Sequence, residues 1–198
     1  MQHLYSLLPV LFSLLFCGLS AQTVSFNITL WGDSIGRMDV RHSMDKDSND
    51  VYVMESHSKA KFLWIVREGL SKFEAVYKRG KLLSSSHLEI ENGKAKRWAK
   101  VKFENGKYLM TSAEQEPRSF TEVPACSDAN IYFLDVRNLK RIFYLPDGSF
   151  YDLKQVDATT LEFKSEDKHR NVYHFENGRI KTMEFHLPLA SVYMNRLR

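Results

Sequence analysis

The stretch HLEIENGKAKRWAKVKFENGKYLMTS, His87 to Ser112, decides the fold. Two Asn-Gly pairs, at 92–93 and 105–106, separate three runs in which polar and apolar residues alternate. Asn-Gly tolerates positive φ at both central positions, which a type I′ hairpin turn requires. Alternation with period two puts successive side chains on opposite faces of a strand. The stretch therefore predicts three consecutive antiparallel strands. In the middle one, Lys94, Lys96, Trp98, Lys100 and Lys102 fall on one face. Ala95, Arg97, Ala99, Val101 and Phe103 fall on the other, which is apolar except for Arg97.

The same grammar extends in both directions. In TVSFNITL, Val24, Phe26, Ile28 and Leu30 share one face. GDSIG, Gly32 to Gly36, reads as a turn, after which Met38 and Val40 resume the alternation. MDKDSND is a polar loop, KFLWIV is apolar on both faces, and Arg79-Gly80, Asp147-Gly148 and Asn177-Gly178 supply further turns. Only AEQEPRSFTEVPACSD lacks a strand pattern. After it, Ser127 is placed to cap a short helix through NIYFL, with a buried strand as the alternative. These readings predict a mainly all-β chain. Its architecture is a large antiparallel up-and-down curved sheet, a half-barrel or barrel of roughly ten to thirteen strands with at most one short helix.

Residues 1–21 carry a short apolar run, Leu4 to Leu19, ended by Ser20 and Ala21, with no Asp, Glu, Lys or Arg before Asp33. This is the pattern of a secretory signal peptide, followed by one β-rich domain over 22–198. Export to the periplasm or beyond, with outer-membrane association as a variant, is the expected localisation. Acylation at Cys17 would turn a soluble product into an anchored one, although Phe16 is large for the position before a lipidated cysteine. Cleavage leaves Cys126 alone, so packing rather than a disulfide must hold the domain, and a lone thiol reads as a small hydrophobe.

Catalytic motifs of the common enzyme classes are missing from the sequence: GxSxG, HExxH, CxxC, GxGxxG and the P-loop. Asp45, Asp47 and Asn49 begin like a calcium loop, but Asp50 stands where that loop needs Gly and Ser56 where it needs a bidentate Glu. His174 and His186 approach each other across the 177–178 hairpin, yet zinc would need a third ligand. No metal and no cofactor are expected. Glu89 with Glu91 and Glu114 with Glu116 keep open a periplasmic hydrolase built on scattered carboxylates.

The remaining reading is non-enzymatic binding. The candidate anionic-contact face is Lys94, Lys96, Trp98, Lys100 and Lys102, suited to an anionic membrane surface; the plain alternative is a solvated face. No stacking series of aromatics accompanies it, so nucleic acid is not an expected partner. The candidate apolar interior is Phe62, Trp64, Phe73, Tyr77 and Phe103. A lipid or an envelope protein is the expected partner.

The opening strand running into LWGDSIGRMDV, with Gly32, Ile35 and Gly36, resembles an uncharacterised family of secreted β-rich proteins of Gram-negative bacteria. The later Asn-Gly-Lys hairpins and the strand after HLPL are similar in style. The resemblance implies a domain of unknown function with the half-barrel character of the LolA/LolB lipoprotein carriers, whose concave face holds acyl chains. It implies no catalytic residues.

Overall fold

Each Asn-Gly pair reverses the chain. Asn92, Asn105 and Asn177 have φ of 49°, 50° and 53°, and the glycines that follow have 76°, 81° and 75°. Both central residues are left-handed, so the turn's twist matches that of its strands. Arg79-Gly80 does the same at 51° and 75°. Asp147-Gly148 differs, with only Gly148 at positive φ, 66°. Pro146 cannot take positive φ, so the connection widens over 145–148 and the Gly148 N–H donates to the Tyr144 carbonyl at 2.8 Å.

The computed structural model describes residues 21–62, 65–165, 169–187 and 190–198, the side chains of Phe62 and Ile65 excepted. Among them the strands are β1 (Gln22–Leu30), β2 (Asp33–Met44), β3 (Asp50–Phe62), β4 (Ile65–Lys78) and β5 (Lys81–Glu91). Next come β6 (Lys94–Glu104), β7 (Lys107–Ser112), β8 (Arg118–Phe120), β9 (Arg141–Tyr144) and β10 (Ser149–Asp152). The last are β11 (Lys154–Asp157), β12 (Thr160–Lys164), β13 (Arg170–Glu176), β14 (Arg179–His186) and β15 (Ser191–Arg196). Residues 1–20 of the expected signal peptide 1–21, Leu63 and Trp64 lie outside the described residues.

Thirteen strands form one antiparallel sheet in the order β11-β12-β13-β14-β15-β1-β2-β3-β4-β5-β6-β7-β8. It is an up-and-down meander with one unusual join. β15 pairs with β1, Phe26 opposite Arg196 and Leu30 opposite Val192, so the two ends of the domain meet in the middle of the sheet. The sheet does not close into a barrel; its edges are β8 and β11. The chain between those edges, 121–153, crosses the inside of the curl and carries the separate β9–β10 hairpin.

That crossover fills the core. Tyr132 meets Phe26 with ring centroids 5.6 Å apart, and Phe143 lies between Phe120 and Phe150 at 5.4 and 5.0 Å. Tyr77 donates its hydroxyl to Ser127 Oγ at 2.8 Å. Ile131, Val136, Ile142, Phe143 and Leu145 join the inward residues of the sheet in one apolar cluster.

Several expectations shift. GDSIG is not a turn: the reversal is Trp31-Gly32, at φ 52° and 90°, and β2 begins at Asp33. A Cβ on Gly36 would collide with the His57 carbonyl, so Gly36 serves the close approach of β2 to β3. AEQEPRSF does contain a strand, the three-residue β8, closed in by Pro117 on its N-terminal side. NIYFL is neither α-helix nor strand but a 3₁₀ turn at Ile131–Phe133, followed by another at Val136–Asn138. Ser127 does not cap it; its Oγ accepts from the Ala129 N–H, closing a local turn instead.

Candidate functional site: a cavity between sheet and crossover

The crossover does not fill the curl completely. A cavity of about 280 Å³ remains between it and the sheet. Met38, Met54 and Phe73 form one apolar wall, and Tyr173, Phe185 and Met194 another. Tyr132 and Tyr144 close it from the crossover side, and Ser56, Ser58 and Ser71 dot the sheet wall. Four ionisable groups complete the lining: His87 and Glu89 from β5, Arg97 from β6 and Asp128 from the crossover.

Two of these groups are buried and incompletely partnered. Asp128 is 6% exposed. Its Oδ2 accepts from the Leu145 N–H at 3.2 Å, while Oδ1 has no protein partner among the described residues. Burial, with the Asp147 charge adding to it, pushes its carboxyl well above the usual range, against the opposing pull of the Leu145, Asp128 and Ala129 N–H groups. Burial thus favours the protonated, donating form. His87 is 5% exposed and stacks on Phe73 at 4.1 Å. Its Nε2 lies 3.3 Å from Ser71 Oγ, and its Nδ1 has no partner among the described residues. Burial, then the Arg97 charge, lowers the imidazole to about 4, so this ring is neutral at pH 7.

A second hollow, of about 330 Å³, adjoins the first; Glu89, Arg97, Tyr144 and Phe185 belong to both walls. Arg97 stands opposite Glu89 in the β5–β6 ladder and holds Glu114 at 3.1 Å. Lys96, His169 and Asp147 line the second hollow. The junction thus carries charge of both signs rather than a cationic funnel.

The expected basic face is interrupted. A bulge lies where Glu89 opposes Arg97 and Ile90 opposes Ala95, so Lys96 is the extra residue. Alternation slips by one there, so Lys94 no longer shares the parity of Trp98, Lys100 and Lys102, and Ala95 is exposed. Lys96 pairs with Glu91 at 2.7 Å and Lys102 pairs with Glu104. Trp98, at 37% exposure, sits opposite Leu88.

Of the expected interior residues, Phe73 lines the cavity. Tyr77 is buried in the core and tied to Ser127. Phe103 packs on Tyr108 at 4.9 Å near the β8 edge, under the Lys81 ammonium, away from the cavity. The side chain of Phe62 and the whole of Trp64 lie outside the described residues.

Elsewhere, His174 and His186 do come together, each on one oxygen of Glu184, at 2.8 and 3.0 Å. Their other nitrogens meet Thr160 and Ser191. The described residues hold no group of three ligands arranged for a metal. Asp45 is occupied by its own loop, accepting from the N–H groups of Asp47 and Asn49. Cys126 is 5% exposed, and burial raises its thiol, so it behaves as a core residue.

Fold and cavity define the class: a mainly-β, barrel-like protein whose open sheet wraps its own crossover around a lined hollow. The chain belongs to the DUF6134 family, a domain of unknown function, whose profile matches residues 26–197. No curated protein matches it. Among solved structures it is similar to a β-barrel-like protein of the domain of unknown function DUF1849 from Brucella abortus. That match has a TM-score of 0.57 and 10% identity, and covers 91% of this chain and 97% of that one. At such identity the likeness is one of fold.

Proposed function

We propose that the protein is an exported, non-enzymatic protein of the cell envelope that holds a small amphiphile in the cavity between sheet and crossover. One observation carries the reading: a hollow of about 280 Å³ walled largely by Met, Phe and Tyr, with a few ionisable groups from sheet and crossover among them. Pockets of this make-up take ligands with an apolar body and few polar contacts. The expected membrane contact through the lysine face is the weaker part, because Lys96 and Lys102 are already paired.

Native mass spectrometry of protein purified from its own host tests the reading, together with displacement of the neutral fluorophore N-phenyl-1-naphthylamine. A non-covalent adduct and saturable displacement are expected. An empty protein that takes up no fluorophore overturns the reading. Fractionation of cells carrying the full chain and a form lacking 1–21 tests export; the shortened form is expected to stay in the cytoplasm.

A second reading, a hydrolase, draws on Asp128 and Glu89 lining one cavity, with burial raising the Asp128 carboxyl. Release of p-nitrophenol from esters or glycosides, lost in both Asp128→Asn and Glu89→Gln, would favour it. The amphiphile reading stands first because Asp128 is tied back to Leu145 and Glu89 faces Arg97.

A further inference from the structure

Resting on the binding reading, we infer that the occupant carries a hydroxyl group within the segment buried in the cavity, and that Asp128 and His87 recognise it. A buried polar atom left without a partner is costly, because it has lost its water and gained nothing in return. Two such atoms, Asp128 Oδ1 and His87 Nδ1, belong to side chains lining this one cavity. Each side chain is more than nine-tenths buried. Each is also half satisfied: Leu145 N–H holds the other oxygen of Asp128, and Ser71 lies by the other nitrogen of His87. One polar atom of each is thus left without a partner, on side chains that line a hollow walled largely by Met, Phe and Tyr with three serines.

Burial then selects the chemistry, because an apolar surround favours the uncharged form of both side chains. An uncharged carboxyl donates one hydrogen bond and a neutral imidazole accepts or donates one. Neither repays a charged group for the loss of its water. A hydroxyl both donates and accepts, so it suits either group whichever way its proton points. A plain alkyl chain would leave both atoms unpaired. A charged body would be desolvated without a free counter-charge, since Arg97 is paired with Glu114 and its charge and that of Glu89 offset each other. The ligand class is therefore an amphiphile with a hydroxylated chain, its body uncharged.

The experiment compares methyl decanoate with methyl hydroxydecanoates bearing the hydroxyl at carbons 3, 5, 7 or 10, each displacing N-phenyl-1-naphthylamine from the full domain. At least one positional isomer is expected to bind about tenfold or more tighter than methyl decanoate. That ratio is expected to collapse towards one in His87→Phe, whose ring can still stack on Phe73, and in Asp128→Leu. Asp128→Asn, which keeps a donor, is expected to retain part of it. Equal affinity across the wild-type series overturns the inference while leaving amphiphile binding intact. A preference that survives both apolar substitutions overturns the assignment to these two residues. Failure of every ester and of the fluorophore itself strikes the binding reading instead. The wild-type series decides the matter even if a variant does not fold.

Discussion

His87 lies flat on Phe73 inside the protein, so protonating it would bury a charge away from water and near the Arg97 guanidinium. As pH falls through 6.5 the unfolded chain takes up a proton on this histidine, while the folded protein refuses it until about 4. The stability it permits is complete above pH 6.5 and drains away towards pH 4, by up to ~3 kcal/mol. Asp128 acts in the opposite sense. Its proton is kept in the folded state and lost from the unfolded chain above 3.8, so its contribution is present at low pH and lost as pH rises through the folded value. Urea unfolding between pH 4.5 and 7.5 should show the wild type losing stability on acidification relative to His87→Phe, the Asp128 contribution being common to both; parallel profiles would count against a neutral buried imidazole. Gly36 makes a separate point at this scale. A methyl there meets backbone, the His57 carbonyl, which cannot step aside. At Gly69 it meets only the Ser58 hydroxyl, at 2.9 Å, which can rotate. Gly36→Ala is expected to cost about 1–3 kcal/mol and Gly69→Ala distinctly less, read as shifts of the denaturation midpoint.

Among the elements, the crossover 121–153 matters most, because both the core and the cavity depend on it. Phe143 is fully buried between Phe120 and Phe150, joining the β9–β10 hairpin to the β8 edge. Phe143→Ala should cost about 3–5 kcal/mol, while Trp98→Ala on the outer face should move the midpoint by about 0.5 kcal/mol or less. Equal effects would mean that the crossover packs loosely. The strands around it were legible because each half-buried strand prints its period in the sequence, and four of the tight reversals print Asn-Gly or Arg-Gly, whereas Trp31-Gly32 and Ala158-Thr159 do not. The crossover was not. Its side chains are buried in several directions at once, so it shows no period, and its 3₁₀ turns are too short to leave one. The cavity was legible only in part. Phe73 stood out as an inward aromatic and Arg97 as the charged residue on an apolar strand face. Asp128 and His87 left no signal, being neighbours through the crossover rather than along any strand. The bulge at Lys96 was equally hidden, since an extra residue on a ladder is visible only when both strands are seen together.

For the whole molecule, the governing feature is the join of β15 to β1. Read as a circle, the chain runs β1 through β8, crosses inside, and returns β11 through β15 to β1, each strand of the main sheet beside its sequence neighbour. Only the β1–β15 seam pairs opposite ends of the domain, and it lies near the middle of the sheet. Closing it carries the entropy of a loop spanning the domain. The ends themselves are adjacent: the Leu197 N–H donates to the Ser25 carbonyl at 2.8 Å. A Gly/Ser linker of about six residues could therefore join residue 198 to residue 22 without strain. Opening the chain at Asn105-Gly106 would then move the seam to β6–β7, beside the β8 edge, where fewer strands hang upon it. Such a circular permutant is expected to keep the β-rich circular dichroism spectrum, to unfold cooperatively, and to bind N-phenyl-1-naphthylamine as the parent does. Its stability should be no lower than that of the parent cut open at Asn105-Gly106 without the linker, since that nicked form carries two seams and the permutant one. A permutant that stays β-rich but loses cooperative unfolding would show that the central seam does more than close the circle, and that β1 must dock on β15 as a free end.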